Sequence, residues 1–331
     1  MITNTDFNTV FSPEELLNIY SQKFKDVKFG TAETTTYAPI YYFMNNKGKQ
    51  IRPLLLLASC NLFKGNLEEA LYPAFGIQLF HNFTLVHDDI IDEADIRRGL
   101  PTVHKKFGIN KAIISGDIMM IYAYDYLLKV DPSNILEVYK NFNISASQII
   151  EGQQMDIDFE KRMDVTEAEY IKMIAYKTSV LLAESLRIGA IISKANDKNK
   201  QLIYDFGLNL GLSFQIKDDW LDAFGAGEKF GKKIGGDILQ NKKTMLFIKA
   251  WEAADKSTRE KIISLMDNQN EDEKVTGMLN IYNDLRINEK ITALMTDYFE
   301  KSLDFLSQVS VEDNRKQHLL NFAHTIFNRD H

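Results

Sequence analysis

Apolar residues recur at intervals of three and four along most of this chain, which is the spacing of one face of an α-helix. The pattern predicts helices at residues 13–24, 51–62, 67–94, 115–128, 134–158, 166–192, 198–224 and 242–253, with several more toward the C-terminus. No proline follows Pro132, so the rest of the sequence lacks the residue that most often breaks a helix. No block alternates apolar and polar residues between turn signals, as a half-buried strand does. We therefore expect an all-α fold.

The boundaries between these segments indicate one continuous domain. Ser12-Pro13-Glu14-Glu15 has a capping residue, a proline and two acids in the order that begins a helix, and a second capping signature surrounds Thr166. Residues 224–236 are rich in glycine and lysine and are expected to form a mobile loop. Neither a low-complexity linker nor a repeat of 20 to 50 residues is visible. A chain of 331 residues with 45% hydrophobic content can bury a large core, and we expect a single all-α domain over residues 1–331.

Charge and cysteine content exclude several classes of protein. The formal net charge of -7 argues against a nucleic-acid partner, which normally requires a basic surface. Cys60 is the only cysteine and lies in an apolar run, so no disulfide framework or thiolate metal site is expected. The sequence has neither a signal-peptide pattern at its start nor about 18 consecutive apolar residues. We expect no membrane span and a cytoplasmic protein.

Two acidic runs share the pattern DDxxD, and each is embedded among apolar residues: Asp88-Asp89-Ile90-Ile91-Asp92 and Asp218-Asp219-Trp220-Leu221-Asp222. Carboxylates in such surroundings repel one another and lose hydration unless a positive charge neutralises them. On a helix the first and last aspartates of each run would share one face. Two such faces brought together would hold hard divalent cations. An all-oxygen ligand set suits Mg²⁺, which takes its remaining ligands from water and from a substrate phosphate.

Basic side chains accompany the first acidic run: Lys49, Arg52, His81, Arg97 and Arg98. Any one of them could simply be a salt-bridge partner. Combined with acids that are neutralised by metal, however, they indicate a pocket for two polyanionic groups. One group would be held through Mg²⁺ and the other directly by guanidinium and ammonium donors.

The glycine-rich loop superficially resembles a phosphate-binding P-loop. Ala226 stands where that motif requires its first glycine, and Lys233 stands where it requires Ser or Thr. The segment also follows a helical pattern and not a strand. A nucleotide hydrolase is therefore not expected, and a flexible lid that carries Lys232 to a bound diphosphate fits better.

Aromatic residues precede the first acidic run by one to two helical turns. Phe83 and Thr84, with Phe80, have the spacing of ordinary core residues. Their place beneath the expected metal site makes a second role possible, as the floor of an apolar tunnel. The sequence pattern leaves both interpretations open.

Together these segments resemble the trans-isoprenyl diphosphate synthases, which are head-to-tail prenyltransferases. The similarity spans about residues 45 to 250. It includes Gly48-Lys49-Gln50-Ile51-Arg52-Pro53, the first DDxxD with its trailing Arg97-Arg98, the pair Lys177-Thr178, Phe214-Gln215 before the second DDxxD, and elements from Gly231-Lys232 through Asp237 to Lys242 and Thr244. Gln50 stands where the family usually has arginine. Binding is expected to survive this change because Arg52 remains.

The resemblance implies about a dozen helices around a central cavity, a homodimer, and Mg²⁺ as the metal, with up to three ions and Mn²⁺ as a possible substitute. It implies that Asp88, Asp92 and Asp218 bind metal directly, and that Asp89, Asp219 and Asp222 act through water or orient the others. The expected allylic-diphosphate contacts are Arg97, Lys177, Thr178, Gln215 and Lys232, with Lys242 adding charge nearby. The expected isopentenyl-diphosphate contacts are Lys49, Arg52, His81 and Arg98.

The implied reaction condenses isopentenyl diphosphate with an allylic diphosphate, and the departing diphosphate is expected to remove the released proton. Phe83, Thr84 and Phe80 at the chain-length floor resemble the short-chain pattern, which favours geranylgeranyl diphosphate with farnesyl diphosphate next. One alternative is an enzyme like the class I terpene cyclases, which normally have a different second metal motif. Another is a non-catalytic subunit of a hetero-oligomer that binds prenyl diphosphate; such proteins tend to lose an acidic motif. Both motifs are complete here, which favours the synthase.

Overall fold

In a computed structural model that describes residues 8–30, 35–46, 48–225 and 235–328, the predicted all-α fold is confirmed. The helices are α1 (Pro13–Phe24), α2 (Ala38–Asn45), α3 (Ile51–Leu62), α4 (Leu67–Ile91), α5 (Val103–Phe107), α6 (Ile109–Leu127), α7 (Pro132–Glu160), α8 (Glu167–Ile174), α9 (Val180–Ile192), α10 (Asp197–Phe224), α11 (Gly236–Leu239), α12 (Met245–Ala253), α13 (Lys256–Met266), α14 (Glu271–Asp284), α15 (Ile287–Gln308) and α16 (Asp313–Phe327). A π-helical segment, Ala175–Ser179, joins α8 to α9.

Two very short strands were not expected from the sequence. They are β1 (Ile96–Arg97) and β2 (Leu100–Pro101), which pair antiparallel directly after the first acidic run. The loop between them has two residues, Arg98 and Gly99, with φ values of 53° and 77°. Positive φ at both central residues is the geometry of a type I′ turn, which matches the twist of a tight hairpin.

The chain divides into two compact units. Unit 1 comprises Met1–Asn143, Glu184–Ile203 and Ser310–His318, and unit 2 comprises Ile144–Ala183, Tyr204–Val309 and Leu319–His331. Each has its own buried apolar residues. The expectation of a single domain stays a prediction.

Unit 1 is organised around α4, which packs against α3 and α6. A Cβ at Gly76 of α4 would lie 2.7 Å from the carbonyl oxygen of Ala123, so the absence of a side chain permits the close approach to α6. Cys60 of α3 is fully buried, and burial raises the pKa of its thiol to about 12. This agrees with the expectation that Cys60 is a small apolar residue of the core.

Unit 2 has a core formed largely by α8, α10, α12, α14 and α15. Tyr170, Ile216, Met245, Ile287 and Ile291 are among its most buried side chains. α12 packs against α8, α14 and α15. Along the described residues, no helix combines the length and apolar character needed to cross a bilayer.

Candidate active site

The first acidic run lies at the C-terminal end of α4 in unit 1. The helix ends with Glu93 at φ 50°, and the backbone N–H groups of Glu93 and Ala94 donate to the carbonyls of Ile90 (3.3 Å) and Asp89 (3.0 Å). These two bonds form a Schellman motif, which usually has glycine where Glu93 stands. The N–H of Asp92 still donates to the carbonyl of Asp88 at 2.8 Å. Asp88 and Asp92 are therefore one helical turn apart, as the spacing predicted.

The β1–β2 hairpin brings Arg97 back onto the acidic run. Its guanidinium Nε lies 2.8 and 2.9 Å from the two carboxylate oxygens of Asp89, whose side chain is buried. Burial raises the pKa of Asp89, while the charge and hydrogen bonds of Arg97 oppose that rise. Arg97 therefore forms an ion pair with Asp89 and neutralises one carboxylate of the motif. Asp92, the last carboxylate of the motif, is exposed.

Arg98 points in another direction from the same hairpin. Its Nη1 donates to the carbonyl of Asn46 at 2.6 Å, and the amide of Asn46 donates to the carbonyl of Arg97 at 3.2 Å. A Cβ at Gly48 would lie 2.5 Å from Nη2 of Arg98. The glycine of the sequence motif thus provides the space in which this guanidinium rests against the segment before α3.

Arg52 of α3 and His81 of α4 meet inside unit 1. Nη1 of Arg52 lies 3.0 Å from Nε2 of His81. Burial, followed by the positive charges of Arg52, Arg98 and Arg97, holds the pKa of His81 well below its usual range, so the imidazole is neutral and accepts this hydrogen bond. Burial also lowers the pKa of Arg52 to about 10. Its Nε is buried, and among the described residues it has no hydrogen-bond partner, so one donor of this guanidinium is left unused.

The aromatic residues of the expected tunnel floor form a packed row on α4. Phe80 is 1% exposed and Phe83 7%, and their rings meet edge to face with centroids 5.4 Å apart. The hydroxyl of Thr84 donates to the carbonyl of His81 at 2.9 Å, so it is satisfied within its own helix. Thr84 can therefore present its methyl group without leaving an unpaired hydroxyl.

The second acidic run lies near the C-terminal end of α10 in unit 2. Asp219 is buried and accepts a hydrogen bond from the hydroxyl of Tyr170 on α8, and a second one of 3.1 Å from the amide of Gln215. Burial and then the negative charge of Asp237 raise the pKa of Asp219 well above its usual range. Several carboxylates here thus lie close enough to oppose each other's ionisation, a condition that a cation would relieve.

Lys177 and Thr178 lie in the π-helical segment, where two glycines permit close packing. A Cβ at Gly152 of α7 would lie 2.4 Å from the backbone nitrogen of Lys177, and a Cβ at Gly211 of α10 would lie 2.7 Å from Cα of Ser179. A polar residue that contacts the π-helical segment lies four residues after each glycine, on the same face of its helix. Nζ of Lys177 lies 2.5 Å from a carboxylate oxygen of Asp156, and the hydroxyl of Thr178 donates to the amide oxygen of Gln215 at 3.0 Å.

Asp222 and Lys242 lie at a small cavity beyond the end of α10. The carboxylate of Asp222 accepts from the N–H of Asp237 at 3.0 Å, which fixes the start of α11. A cavity of about 20 Å³, the size of one water molecule, is lined by Asp219, Asp222, Asp237, Lys242 and Thr244 among others. The neighbouring Lys243 instead donates to the carbonyls of Glu160 and Asn241. Lys232 lies outside the described residues.

The residues at both helix ends fit a hard divalent cation. The C-terminal end of a helix carries partial negative charge, so carboxylates there are unfavourable without a compensating cation. Neither α4 nor α10 has a basic residue in its last turn. Within the described ranges, no three His, Cys, Asp or Glu side chains converge as a preformed metal site. Mg²⁺ does not require one, since it typically uses one or two protein carboxylates and completes its shell with water and phosphate oxygens.

Sequence reasoning missed two residues of these networks and gave no role to a third. Asp156 pairs with Lys177, Tyr170 holds Asp219, and Asp237 contributes its charge to the acidic cavity. Asp156 follows Gly152 by one helical turn, a spacing that is visible in the sequence. The hydroxyl of a buried tyrosine carries no mark in the sequence that identifies its partner.

This chain is all-α, and each of its two acid-rich helix ends lies beside basic side chains. It has the fold of the isoprenoid synthases. The chain belongs to the polyprenyl synthetase family, whose family model matches residues 33–284. A geranylgeranyl diphosphate synthase of Sulfolobus acidocaldarius is 39% identical over 279 residues, which cover 83% of this chain and 84% of that protein. One of Saccharolobus solfataricus is 40% identical over 272 residues, 81% of each. A crystal structure of a geranylgeranyl pyrophosphate synthase matches with a TM-score of 0.91 at 38% identity, covering 97% of this chain and 100% of that one. These matches confirm the resemblance inferred from the motifs.

Proposed function

We propose that this protein condenses isopentenyl diphosphate head to tail with allylic diphosphates, giving geranylgeranyl diphosphate or, next in preference, farnesyl diphosphate. The observation that carries the proposal is the similarity to two geranylgeranyl diphosphate synthases over 83% and 81% of this chain. Both DDxxD runs are intact. An enzyme of the terpene-cyclase type would have no use for the basic cluster around Arg52, and a non-catalytic subunit would not need both acidic runs.

The reaction breaks the C1–O bond of the allylic diphosphate, and the bonding electrons leave with the diphosphate. The double bond of isopentenyl diphosphate then forms a bond to C1. A proton leaves the adjacent carbon and passes to the departing diphosphate, which restores a double bond. Water must be excluded while the carbocation exists.

The proposed metal ligands are Asp88, Asp92 and Asp218, with Asp89, Asp219 and Asp222 as water-mediated or orienting groups. When bound, Mg²⁺ supplies electrostatic stabilisation of negative charge on the diphosphate oxygens. Arg97 and Tyr170 support this arrangement by fixing the carboxylates of Asp89 and Asp219.

The basic residues are proposed to bind the two diphosphates. Arg52, His81, Arg98 and Lys49 form the isopentenyl-diphosphate group, and the unpartnered Nε of Arg52 supports this assignment. The proposed contacts of the allylic diphosphate are Arg97, Lys177, Thr178, Gln215 and Lys232, with Lys242 adding charge nearby. Within this group Lys177 pairs with Asp156, and Thr178 donates to Gln215. An ammonium group already paired with a carboxylate is oriented before the substrate arrives, which reduces the entropy lost on binding.

We also propose a homodimer. On α6 and on the part of α7 within unit 1, large apolar side chains are exposed: Ile113, Ile114, Ile121, Leu136 and Tyr139. The two helices adjoin, since the rings of Tyr124 and Phe142 lie 5.3 Å apart and the hydroxyl of Tyr124 donates to Asn143. Several large apolar side chains exposed on two adjoining helices are typical of a protein interface.

The proposal is tested by incubating the purified protein with isopentenyl diphosphate, Mg²⁺ and each of the three short allylic primers, then sizing the alcohols after phosphatase treatment. Linear products one or more isoprene units longer than the primer are expected. Cyclic hydrocarbons from an allylic diphosphate alone would indicate a cyclase. No turnover with any primer would favour the non-catalytic subunit.

The acidic runs are tested by Asp88→Ala and Asp218→Ala. Each substitution is expected to lower turnover by at least about 100-fold, because the lost group stabilises charge that develops as the C–O bond breaks. The helical circular dichroism should stay unchanged. Asp304→Ala, at an exposed position on α15, is the matched control and should keep full activity. Near-normal turnover in either test variant would remove the metal assignment.

A further inference from the structure

Four aromatic rings of unit 1 form a continuous row beneath the first acidic run. Phe142 of α7 meets Phe80 edge to face at 5.1 Å, Phe80 meets Phe83 at 5.4 Å, and Phe83 meets His87 at 4.8 Å. Such pairs contribute beyond the apolar area that they bury and restrict the orientation of each ring. The row begins in a fully buried place at Phe142 and reaches His87, whose side chain is 27% exposed.

His87 is held at its end of the row by α6. Its Nε2 lies 3.1 Å from the backbone carbonyl oxygen of Ile113 and 3.8 Å from a carboxylate oxygen of Asp117. Because a carbonyl oxygen can only accept, Nε2 must carry the proton and donate. A Cβ at Gly116 would lie 2.3 Å from the same Nε2. The glycine therefore leaves the space in which the ring can reach the carbonyl of Ile113.

The two ring neighbours of Phe83 are held in different ways. Phe80 is buried and packed against Phe142, so its place is determined by the core. His87 is only partly buried, and a hydrogen bond to the backbone of a neighbouring helix orients its ring. Loss of that bond would release the edge against which Phe83 rests, and Phe83 could then adopt another side-chain rotamer.

We propose that His87 is a positioning residue that sets product length by holding the ring of Phe83 in place, and that Gly116 is required for this. The inference rests on the proposed function, in which Phe83 limits the length of the prenyl chain. His87 touches neither diphosphate in this role. It acts through Phe83, so its effect falls on where elongation stops and not on the rate of each condensation.

The test compares His87→Ala, Gly116→Ala and the reference variant Phe83→Ala in the full chain, with isopentenyl diphosphate, Mg²⁺ and farnesyl diphosphate as primer. Both His87→Ala and Gly116→Ala are expected to raise the ratio of longer products to the main product of the unaltered protein. The expected rise in this ratio is about threefold to tenfold, which corresponds to the interaction free energy of one aromatic edge-to-face pair. Phe83→Ala should give a larger rise. In His87→Ala and Gly116→Ala, total incorporation of isopentenyl diphosphate should stay within about threefold of that in the unaltered protein.

Gly116→Ala separates positioning from a general loss of stability. It leaves His87 in the chain and replaces glycine by the residue with the highest helix propensity, so helix formation itself is not weakened. His324→Ala is the matched control, because His324 also contacts a phenylalanine edge to face, Phe299 at 5.3 Å, on helices remote in sequence. Its products should keep their original lengths.

Unchanged product lengths in active His87→Ala and Gly116→Ala proteins would overturn this inference alone. Absence of any prenyl product from the unaltered protein would overturn the proposed function and the role of His87 with it. A crystal structure of either variant with the original Phe83 rotamer would also count against the proposal.

Discussion

At the scale of single residues, Tyr170 determines how one oxygen of the buried Asp219 is held. Its hydroxyl donates to that carboxylate, and the amide of Gln215 donates to the other oxygen. A group that orients a metal ligand typically matters almost as much as the ligand itself. Tyr170 is therefore part of the second acidic motif although it lies 49 residues away along the chain.

Tyr170→Phe is expected to lower turnover by about 10- to 100-fold and to raise the Mg²⁺ concentration that gives half-maximal activity. The measurement is a Mg²⁺ titration of the initial rate. Tyr20→Phe is the control, since Tyr20 is equally buried in unit 1 and its pKa is raised by burial alone. An unchanged Mg²⁺ requirement in Tyr170→Phe would contradict the orienting role.

Glu169 supplies a residue-scale prediction about pH. It completes a capping box with Thr166 at the start of α8, and hydrogen bonds from Arg162 and then from Thr166 lower its pKa to about 2. A carboxyl group whose pKa is lowered by folding stabilises the folded protein at pH values above its ordinary pKa near 4.5. That contribution is lost as the pH falls toward 2. Glu169→Gln should lower the melting temperature by about 1–3 °C at pH 7, with the difference shrinking below pH 4. The control is Glu300→Gln at an exposed site on α15; a difference independent of pH would refute the ionic origin.

At the scale of elements, the π-helical segment is fixed by the glycines of α7 and α10. π-Helical turns occur mostly as short insertions at functional sites, because the extra residue in the turn redirects neighbouring side chains. Here the segment presents Lys177 and Thr178 to Asp156 and Gln215. The packing of the two glycines therefore connects backbone geometry directly to the proposed diphosphate contacts.

Gly152→Ala is expected to destabilise the protein and to weaken substrate binding. Its methyl group would meet the backbone nitrogen of Lys177 at 2.4 Å, and backbone cannot move aside as a flexible side chain can. Overpacking of this kind costs about 1–3 kcal/mol, which for a chain of 331 residues is a fall of about 1–4 °C in melting temperature. KM for the allylic diphosphate should rise as Lys177 is displaced. Unchanged melting temperature and KM would show that α7 can move away at no cost.

Element boundaries were predictable where local chemistry decides them. α1 and α3 have the predicted limits, and the capping box of Ser12 and Glu15 explains the start of α1. α6 begins at Ile109, six residues before the predicted start. The residue before it, Gly108, has no side chain that could cap the helix, so the sequence does not mark this start. α4 ends at Ile91 instead of residue 94 because Glu93 adopts a left-handed conformation that sequence rarely signals outside glycine.

The candidate site was predictable in its residue types but not in its pairings. Repeated aspartates, lone cations and a resemblance to a family identified the groups that can bind metal and diphosphate. Which cation pairs with which acid depends on packing: Arg97 on Asp89 follows from a two-residue turn, and Lys177 on Asp156 follows from a close helix approach. Neither is encoded in local periodicity.

At the scale of the whole molecule, the exposed apolar face of α6 and α7 supports the proposed homodimer. Ile121→Arg combined with Leu136→Arg places two charges on side chains that are 60% and 61% exposed. Light scattering should show the mass falling from about twice to about once the chain mass of 38.1 kDa. Ile263→Arg, on α13 and 47% exposed, is the matched control and should leave the mass unchanged. A double variant that keeps the mass of the unaltered protein would place the interface elsewhere.

The burial of Cys60 in α3 has a practical consequence for labelling experiments. Burial covers the thiol and raises its pKa to about 12, so the reactive thiolate is disfavoured at neutral pH. A cysteine introduced on the surface would thus be the sole target for maleimide dyes or nitroxide spin labels. Distances between two such reporters, followed during catalysis, could be measured in the native background without first deleting any thiol.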